Sequence, residues 1–61
     1  MSYAEAKQIA LLRVELRLCW ERQDFGGATV ALAQLSAVAG NDNDNDLKAE
    51  VKRWAFKLQV A

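Results

Sequence analysis

The chain has 61 residues, of which 52% are hydrophobic and 26% are charged, and its formal net charge is zero. Such a chain forms one domain at most, is too apolar for a disordered segment, and has no overall charge that would attract it to nucleic acid or an anionic membrane. One cysteine and no histidine exclude an intrachain disulfide and a zinc site of His and Cys ligands. Small domains without such cross-links usually gain stability by oligomerisation, so we expect a homo-oligomer.

The residue inventory also indicates that the protein is not an enzyme. It offers no histidine, no glycine-rich phosphate loop and no carboxylate pair held by a predictable cleft. Cys19 has no histidine to activate it and lies on an apolar stripe, so we interpret it as a packed, inert thiol. We therefore expect no catalytic residue and no cofactor. The first residues show no signal peptide, and the single thiol favours a cytoplasmic setting.

The first predicted helix, α1, covers about residues 3–23. Ser2 and Glu5 fit a capping box at its start, and the glycines Gly26 and Gly27 weaken the helix beyond its end. Placing successive residues about 100° apart gives two apolar stripes on nearly opposite sides. One stripe is Ile9, Leu12, Leu16, Cys19 and Trp20, and the other is Leu11, Val14 and Leu18. A surface helix normally has one apolar face, so the second stripe must meet another element or another chain.

The second stripe has the spacing of a short coiled-coil seam. Its two sets, each recurring every seven residues, are Ala4, Leu11 and Leu18, and Lys7, Val14 and Glu21. If two copies cross antiparallel near Val14, Lys7 of each approaches Glu21 of the other, and Leu11 approaches Leu18. A parallel pair would bring like charges together. We predict that this set, here named the helix 1 seam, is the oligomer interface: Leu11, Val14, Leu18, Lys7 and Glu21.

A competing arrangement places the third helix of the same chain over this stripe. Its inward residues would then cover the leucines of α1, and the subunit contact would move to the second or third helix. The residues concerned are Leu47, Val51, Trp54 and Leu58. Both arrangements satisfy the apolar pattern of α1, so the sequence leaves the choice open.

The second predicted helix, α2, covers about residues 25–39 and contains no charged residue. The short connection before it predicts an antiparallel hairpin with α1. One strong face consists of Ala28, Leu32, Leu35 and Ala39, and a second face of small residues consists of Val30, Ala33 and Ala37. A helix that is apolar most of the way round is buried, and the small face suits a subunit contact. The run is shorter than the roughly 20 apolar residues of a membrane span, so we expect burial within protein and no membrane association.

Two resemblances concern the junction of these helices. The run from Trp20 to Ala28, with Ala31, Leu32 and Leu35 after it, resembles the turn between the helices of a tetratricopeptide unit. It also resembles the Ala-Leu-x-x-Leu helix ending in glycine of small phage terminase subunits. Both patterns use common residue types and identify no family, although both point to helical adaptor proteins.

An Asn/Asp-rich segment at residues 41–46 separates α2 from the third helix. We predict that Gly40 caps the C-terminus of α2 and that the segment is a solvated loop of turn-forming residues. Its last aspartate, Asp46, would cap the third helix and favour its positive end.

The alternating aspartates also allow a comparison with an EF-hand calcium loop. Counted from Asp42, Asp44 and Asp46 lie at the correct offsets. The sixth position, however, is Leu47 instead of glycine, and the twelfth is Arg53 instead of a bidentate glutamate. We therefore predict no metal site.

The third predicted helix, α3, covers about residues 47–60 and has one inward stripe, with Phe56 left on the opposite, solvated side. An exposed aromatic side chain with a basic rim favours a docking surface for a larger protein. We name this set the Phe56 face: Phe56, Val60, Ala49, Lys52 and Arg53.

The overall prediction is an all-α fold of three short helices in a single domain of residues 1–61, assembled as a helical-bundle homo-oligomer. The predicted function is a non-enzymatic protein–protein interaction module that acts as a regulator, adaptor or inhibitor, as some mobile-element proteins do. The alternative is a small dimeric nucleic-acid-binding regulator that uses the basic side of α3. Its basic residues are Lys48, Lys52, Arg53 and Lys57. The preceding acidic segment argues against that alternative, and α2 has no basic residue to serve as a recognition helix.

Overall fold

The computed structural model describes residues 2–42 and 44–61, with the side chain of Asp42 outside the description. These residues form three helices and no strand: α1 Tyr3–Glu21, α2 Phe25–Asp42 and α3 Asn45–Val60. The predicted all-α class with three helices is confirmed. α2 lies in the middle and packs against both α1 and α3. In the part of the chain that the structure describes, no helix combines the length and apolar character needed to cross a bilayer.

The start and the end of α1 are both fixed by local hydrogen bonds. The Glu5 N–H donates to the Ser2 hydroxyl at 3.2 Å, as the capping signal predicted. At the other end, the Asp24 N–H donates to the Cys19 carbonyl at 2.8 Å, and the Gln23 N–H donates to the Trp20 carbonyl at 3.0 Å. This pair of bonds is a Schellman motif, and Gln23 takes the left-handed conformation with φ of 60°. The motif ends α1 at Glu21, two residues earlier than the sequence suggested.

Asp24 then starts α2, so that the connection needs only residues 22–24. Its carboxylate accepts the Gly27 N–H at 3.0 Å, which is an N-terminal cap. A Cβ atom at Gly27 would lie 2.5 Å from Oδ2 of Asp24 and 3.1 Å from Sγ of Cys19. Gly27 lies within the first turn of α2, where the absence of a side chain leaves room for the capping carboxylate of Asp24 and for the Cys19 thiol of α1.

The predicted boundary between α2 and α3 is wrong on three points. α2 continues to Asp42, three residues beyond the predicted end. Gly40 is an ordinary helical residue with no left-handed φ and nothing within 4 Å of an added Cβ, so it is not a C-terminal cap. The cap of α3 is Asp44 instead of Asp46, because the Asp44 carboxylate accepts the N–H groups of Asp46 at 3.0 Å and Leu47 at 3.2 Å. Of the predicted loop at residues 41–46, Asn41 and Asp42 belong to α2, and Asn45 and Asp46 belong to α3. Asn43 lies outside the described residues.

The burial of Leu47 gives a physical reason why α3 starts earlier than predicted. Leu47 is 2% exposed and belongs to the core, so it must already be held within a helical turn when it meets α2. A cap at Asp44 makes Leu47 the third residue of α3, whereas a cap at Asp46 would make it the first. Several aspartates can cap equally well by themselves, and the packing of one leucine selects among them.

The core takes one fully buried leucine from each helix, Leu16, Leu35 and Leu47. The first stripe of α1 and the strong face of α2 both point inward, as predicted. The buried set is Ile9, Leu12, Leu16, Ala28, Ala31, Leu32, Leu35, Ala39 and Leu47. The other inward residues of α3 are half-buried and pack at the margin of this set: Val51, Trp54 and Leu58.

α3 reaches α1 through side chains that extend past α2. The Arg13 guanidinium donates two hydrogen bonds to the Glu50 carboxylate, from Nε at 2.9 Å and from Nη2 at 2.7 Å. At one end of the molecule the ring of Trp20 packs edge to face on Trp54, with centroids 5.8 Å apart, and on Phe25, with centroids 5.5 Å apart. These contacts involve the first apolar stripe of α1 and its neighbouring flank, so they leave the second stripe open.

Candidate protein-interaction surface

The helix 1 seam is exposed along its whole length. Leu11 is 59% exposed, Val14 56% and Leu18 41%, and the charged residues Lys7 and Glu21 at its two ends are exposed as well. The competing arrangement, in which α3 covers this stripe, is therefore wrong for the single chain. α3 instead packs on α2. Three aliphatic side chains on one face of α1 therefore remain largely exposed to solvent in the single chain.

A groove of about 420 Å³ lies between α1 and α2, beside the seam. Its lining residues are Glu15, Leu18, Cys19 and Arg22 from α1, and Gly27, Val30, Ala31 and Gln34 from α2. The small residues Gly27 and Ala31 leave this space open, because neither carries a side chain long enough to fill it. Leu18 belongs to both the seam and the groove, so the two form one continuous surface.

The second face of α2 also lies on the outside. Val30 is 59% exposed, and Ala33 and Ala37 are exposed too. The prediction that α2 is buried most of the way round is therefore wrong for the single chain, since α1 and α3 cover only its strong face and adjoining flanks. Helical periodicity alone had separated the two faces of α2, but their opposite environments follow from the positions of α1 and α3.

The Phe56 face lies on the outer side of α3. Phe56 and Val60 are each 66% exposed, and Ala49, Lys52 and Arg53 are exposed. The single acidic side chain in the middle of α3, Glu50, binds Arg13 on the side toward α1. The Phe56 face is thus apolar with a basic rim, as the sequence pattern indicates.

The four basic residues of α3 divide between two sides of the helix. Lys57 lies over the ring of Trp54, with Nζ 4.8 Å from its centroid, and lines a shallow groove with Arg53. Lys48 and Lys52 line a different groove, shared with the end of α2. The cation of Lys57 is stabilised by the aromatic ring. The sequence predicted one basic side, and the structure distributes it over two.

The remaining chemical groups contribute to packing or capping. Cys19 is a free thiol, half-buried, that packs against the core. Among the residues that the structure describes, no group of three or more His, Cys, Asp or Glu side chains is placed to hold a metal ion. Asp44, part of the calcium comparison, acts as the cap of α3. The side chain of Asp42 lies outside the described residues.

The groove beside the seam is the feature that the sequence analysis missed. The sequence pattern placed Gly27 beyond the end of α1 and included Ala31 in neither face of α2, and only the approach of α1 to α2 brings both residues into the lining of a groove. The available signal was their small size, next to the larger Val30 and Gln34.

No protein-family model matches this chain, and neither a curated protein nor a solved structure matches it.

Proposed function

We propose that the protein is a non-enzymatic protein–protein interaction module that forms a homodimer through the helix 1 seam and acts as a small regulator, adaptor or inhibitor. The exposure of Leu11, Val14 and Leu18 supports this most directly. Burying one such side chain completely contributes roughly 1.5–3 kcal/mol. A chain of 61 residues buries only about 60% of its unfolded surface, so it has much to gain from this association.

In this proposal α1 and α2 form an antiparallel hairpin. The connection of residues 22–24 is too short to let the second helix travel far from the end of the first. α1 has 19 residues and is about 28 Å long at 1.5 Å per residue. The longest dimension of the Cα trace is 32 Å, which leaves no room for two such helices end to end.

The seam charges support an antiparallel dimer. Lys7 and Glu21 each lie seven residues from Val14, so a two-fold axis near Val14 brings each residue to its opposite charge. Each exposed pair contributes only about 0.5 kcal/mol. Charge therefore sets the direction of the helices, while the aliphatic side chains supply most of the stabilisation.

The Phe56 face is the proposed docking surface for a larger protein. It lies on α3, away from the helix 1 seam, so a dimer would present two such faces. An exposed aromatic residue at the centre of a polar rim is typical of residues that anchor protein contacts. We propose that the protein is cytoplasmic. The comparison with mobile-element regulators is a functional analogy: small helical proteins of that kind act by occupying a surface.

Nucleic-acid binding is the second candidate, supported by the exposed side chains of Lys52 and Arg53. The division of the basic residues over two sides of α3 reduces the number that one phosphate backbone can contact. Phosphate binding weakens steeply with added salt, whereas docking through Phe56 depends mainly on apolar contact. Salt dependence therefore separates the two candidates.

Light scattering across micromolar concentrations tests the dimer. We expect a mass of two chains and a thermal unfolding midpoint that rises with protein concentration, because association stabilises the folded chain. A monomer whose midpoint is independent of concentration would overturn the proposed assembly.

An affinity pull-down from the source cell, with and without nuclease, tests the docking surface. We expect a bound protein that survives nuclease and is lost with Phe56→Ala. Gln59→Ala is the matched control, because Gln59 is exposed on the same helix outside the Phe56 face. Loss of binding after nuclease treatment, with Phe56→Ala still active, would favour the nucleic-acid candidate instead.

A further inference from the structure

We infer that the groove between α1 and α2 receives the second copy of the chain, so that Val30 is a dimer-contact residue. The dimer is then a four-helix arrangement of α1 and α2 from both copies, with α3 of each copy on the outside. The inference rests on the proposed homodimer and extends its contact from one helix to two.

The first support is the continuity of the surface. Leu18 is part of the helix 1 seam and also lines the groove, with Val30 on the α2 side. A chain that covers Leu18 therefore lies at the mouth of the groove. In the antiparallel crossing near Val14, the residue that approaches Leu18 is Leu11 of the second copy, and its aliphatic side chain can enter the space above Gly27 and Ala31.

The second support is the outer face of α2. From Phe25 to Asn41 the helix carries no charged residue, although Val30, Ala33 and Ala37 all face outward. A solvent-facing helix surface normally carries charged or polar side chains. The two alanines also allow another helix backbone to come close, as helix packing at 8–10 Å requires.

The third support is the charge pattern, which favours a second copy as the occupant. The groove carries one acidic and one basic residue, Glu15 and Arg22, both from α1. A lining with one charge of each sign gives no preference for a strongly acidic or basic partner. The adjoining seam, with Lys7 and Glu21 at equal distances from Val14, is complementary to itself in the antiparallel direction.

Sedimentation equilibrium of the full chain and its variants tests the inference. Val30→Glu and Val30→Lys are each expected to raise the dimer dissociation constant at least about tenfold, because either charge would lose its hydration in the contact. Using both signs excludes an effect of charge pairing with Glu15 or Arg22. Val30→Ala, which keeps high helix propensity, is expected to weaken the dimer by roughly three- to tenfold.

Gln59→Glu and Gln59→Lys are the matched controls. Gln59 is exposed on α3 and belongs neither to the Phe56 face nor to the groove, so it receives the same two charges away from the proposed contact. These controls are expected to leave the dissociation constant within about twofold of the unsubstituted protein. Circular dichroism checks that every variant remains helical, which we expect because the substituted residues are exposed in the single chain.

The outcomes separate the inference from the proposed homodimer. If Val14→Glu abolishes the dimer while all three Val30 variants associate normally, the seam alone forms the contact and the groove inference is overturned. Equal weakening by the Val30 and Gln59 variants would also overturn it, because the effect would then not depend on the groove. If the unsubstituted protein is monomeric, the proposed homodimer fails, and the inference fails with it.

Discussion

The two apolar faces of α1 have similar residues and the same helical spacing, yet they have opposite environments. Ile9, Leu12 and Leu16 are at most 4% exposed, whereas Leu11, Val14 and Leu18 are all more than 40% exposed. The first group packs in the core against α2, whereas the second remains at the surface, with Leu18 at the edge of the groove beside α2. In a small helical protein, periodicity therefore shows how many partners a helix needs, but not which partner covers which face.

Exchanging a leucine for alanine on each face is the strongest test of this difference. Leu16→Ala removes a fully buried side chain and is expected to cost about 2–5 kcal/mol in the free energy of unfolding, which is most of what a core of this size supplies. Leu18→Ala is expected to cost less than about 1 kcal/mol at concentrations where the chain is monomeric. Urea unfolding at low protein concentration compares the two. If Leu16→Ala unfolds completely, Ile9→Val provides a milder core change, at about 0.5–1.5 kcal/mol. If Leu16→Ala and Leu18→Ala lower the free energy of unfolding by equal amounts, the proposed difference between the two faces is wrong.

Val14→Glu tests whether the outer face is a subunit contact. Val14 is more than half exposed, so the single chain should tolerate glutamate, while a dimer crossing near this residue would bury an unpaired charge. We expect monomers by light scattering, with a dissociation constant raised at least about 100-fold. Gln8→Glu introduces the same charge on α1 outside the seam and should leave association nearly unchanged. A loss of stability that does not depend on protein concentration would instead move the subunit contact to another helix.

Two adjacent glycines test the close packing at the start of α2, around the Asp24 cap and the Cys19 thiol of α1. Gly27→Ala would place Cβ 3.1 Å from Sγ of Cys19 and closer still to the Asp24 carboxylate, and we expect it to destabilise the fold by about 1–3 kcal/mol. Gly26→Ala meets only Asp24, at 3.9 Å, and should stabilise the helix by up to about 1 kcal/mol. Thermal unfolding of the two variants should shift the midpoint in opposite directions. A shift in the same direction would show that the close approach at Gly27 is not required.

Reversal of the seam charges has the smallest expected effect, and it tests whether the two α1 helices of the dimer are antiparallel or parallel. Glu21→Lys alone should weaken association slightly, by about 0.5 kcal/mol for each charge pair, and Lys7→Glu should do the same. The double variant should restore the original affinity, and added salt should remove the differences. In a parallel dimer, the double variant would keep like charges together and restore nothing. Sedimentation at low and high salt provides the measurement.

Local features of the fold were accessible from the sequence because short-range chemistry determines them. The cap of α1 depends on Ser2 and Glu5, three residues apart, and the cap of α2 depends on Asp24 and the next turn. The inward faces followed from helical spacing in the same way. The exposure of Phe56 was predictable too, since it lies opposite the stripe that α3 needs for its own packing.

The boundary between α2 and α3 shows where local chemistry was insufficient. Several Asn and Asp residues can cap a helix with similar energy, so the sequence offers near-equivalent starts between residues 41 and 46. The burial of Leu47 selects Asp44 among them. Gly40 remains helical for a related reason: a glycine in an exposed turn costs only about 1 kcal/mol, which does not oblige α2 to end there.

By itself, the sequence determined the all-α class, the three helices and the existence of two apolar faces on α1, because side-chain size, capping and a period of 3.6 residues act within one helix. Only the tertiary structure decided that α2 is central, that Arg13 of α1 reaches Glu50 of α3, and that a groove opens between α1 and α2 beside Leu18. Those features depend on the distances and angles between helices. Such distances come from the simultaneous packing of residues far apart in the chain, which no spacing within a single helix encodes.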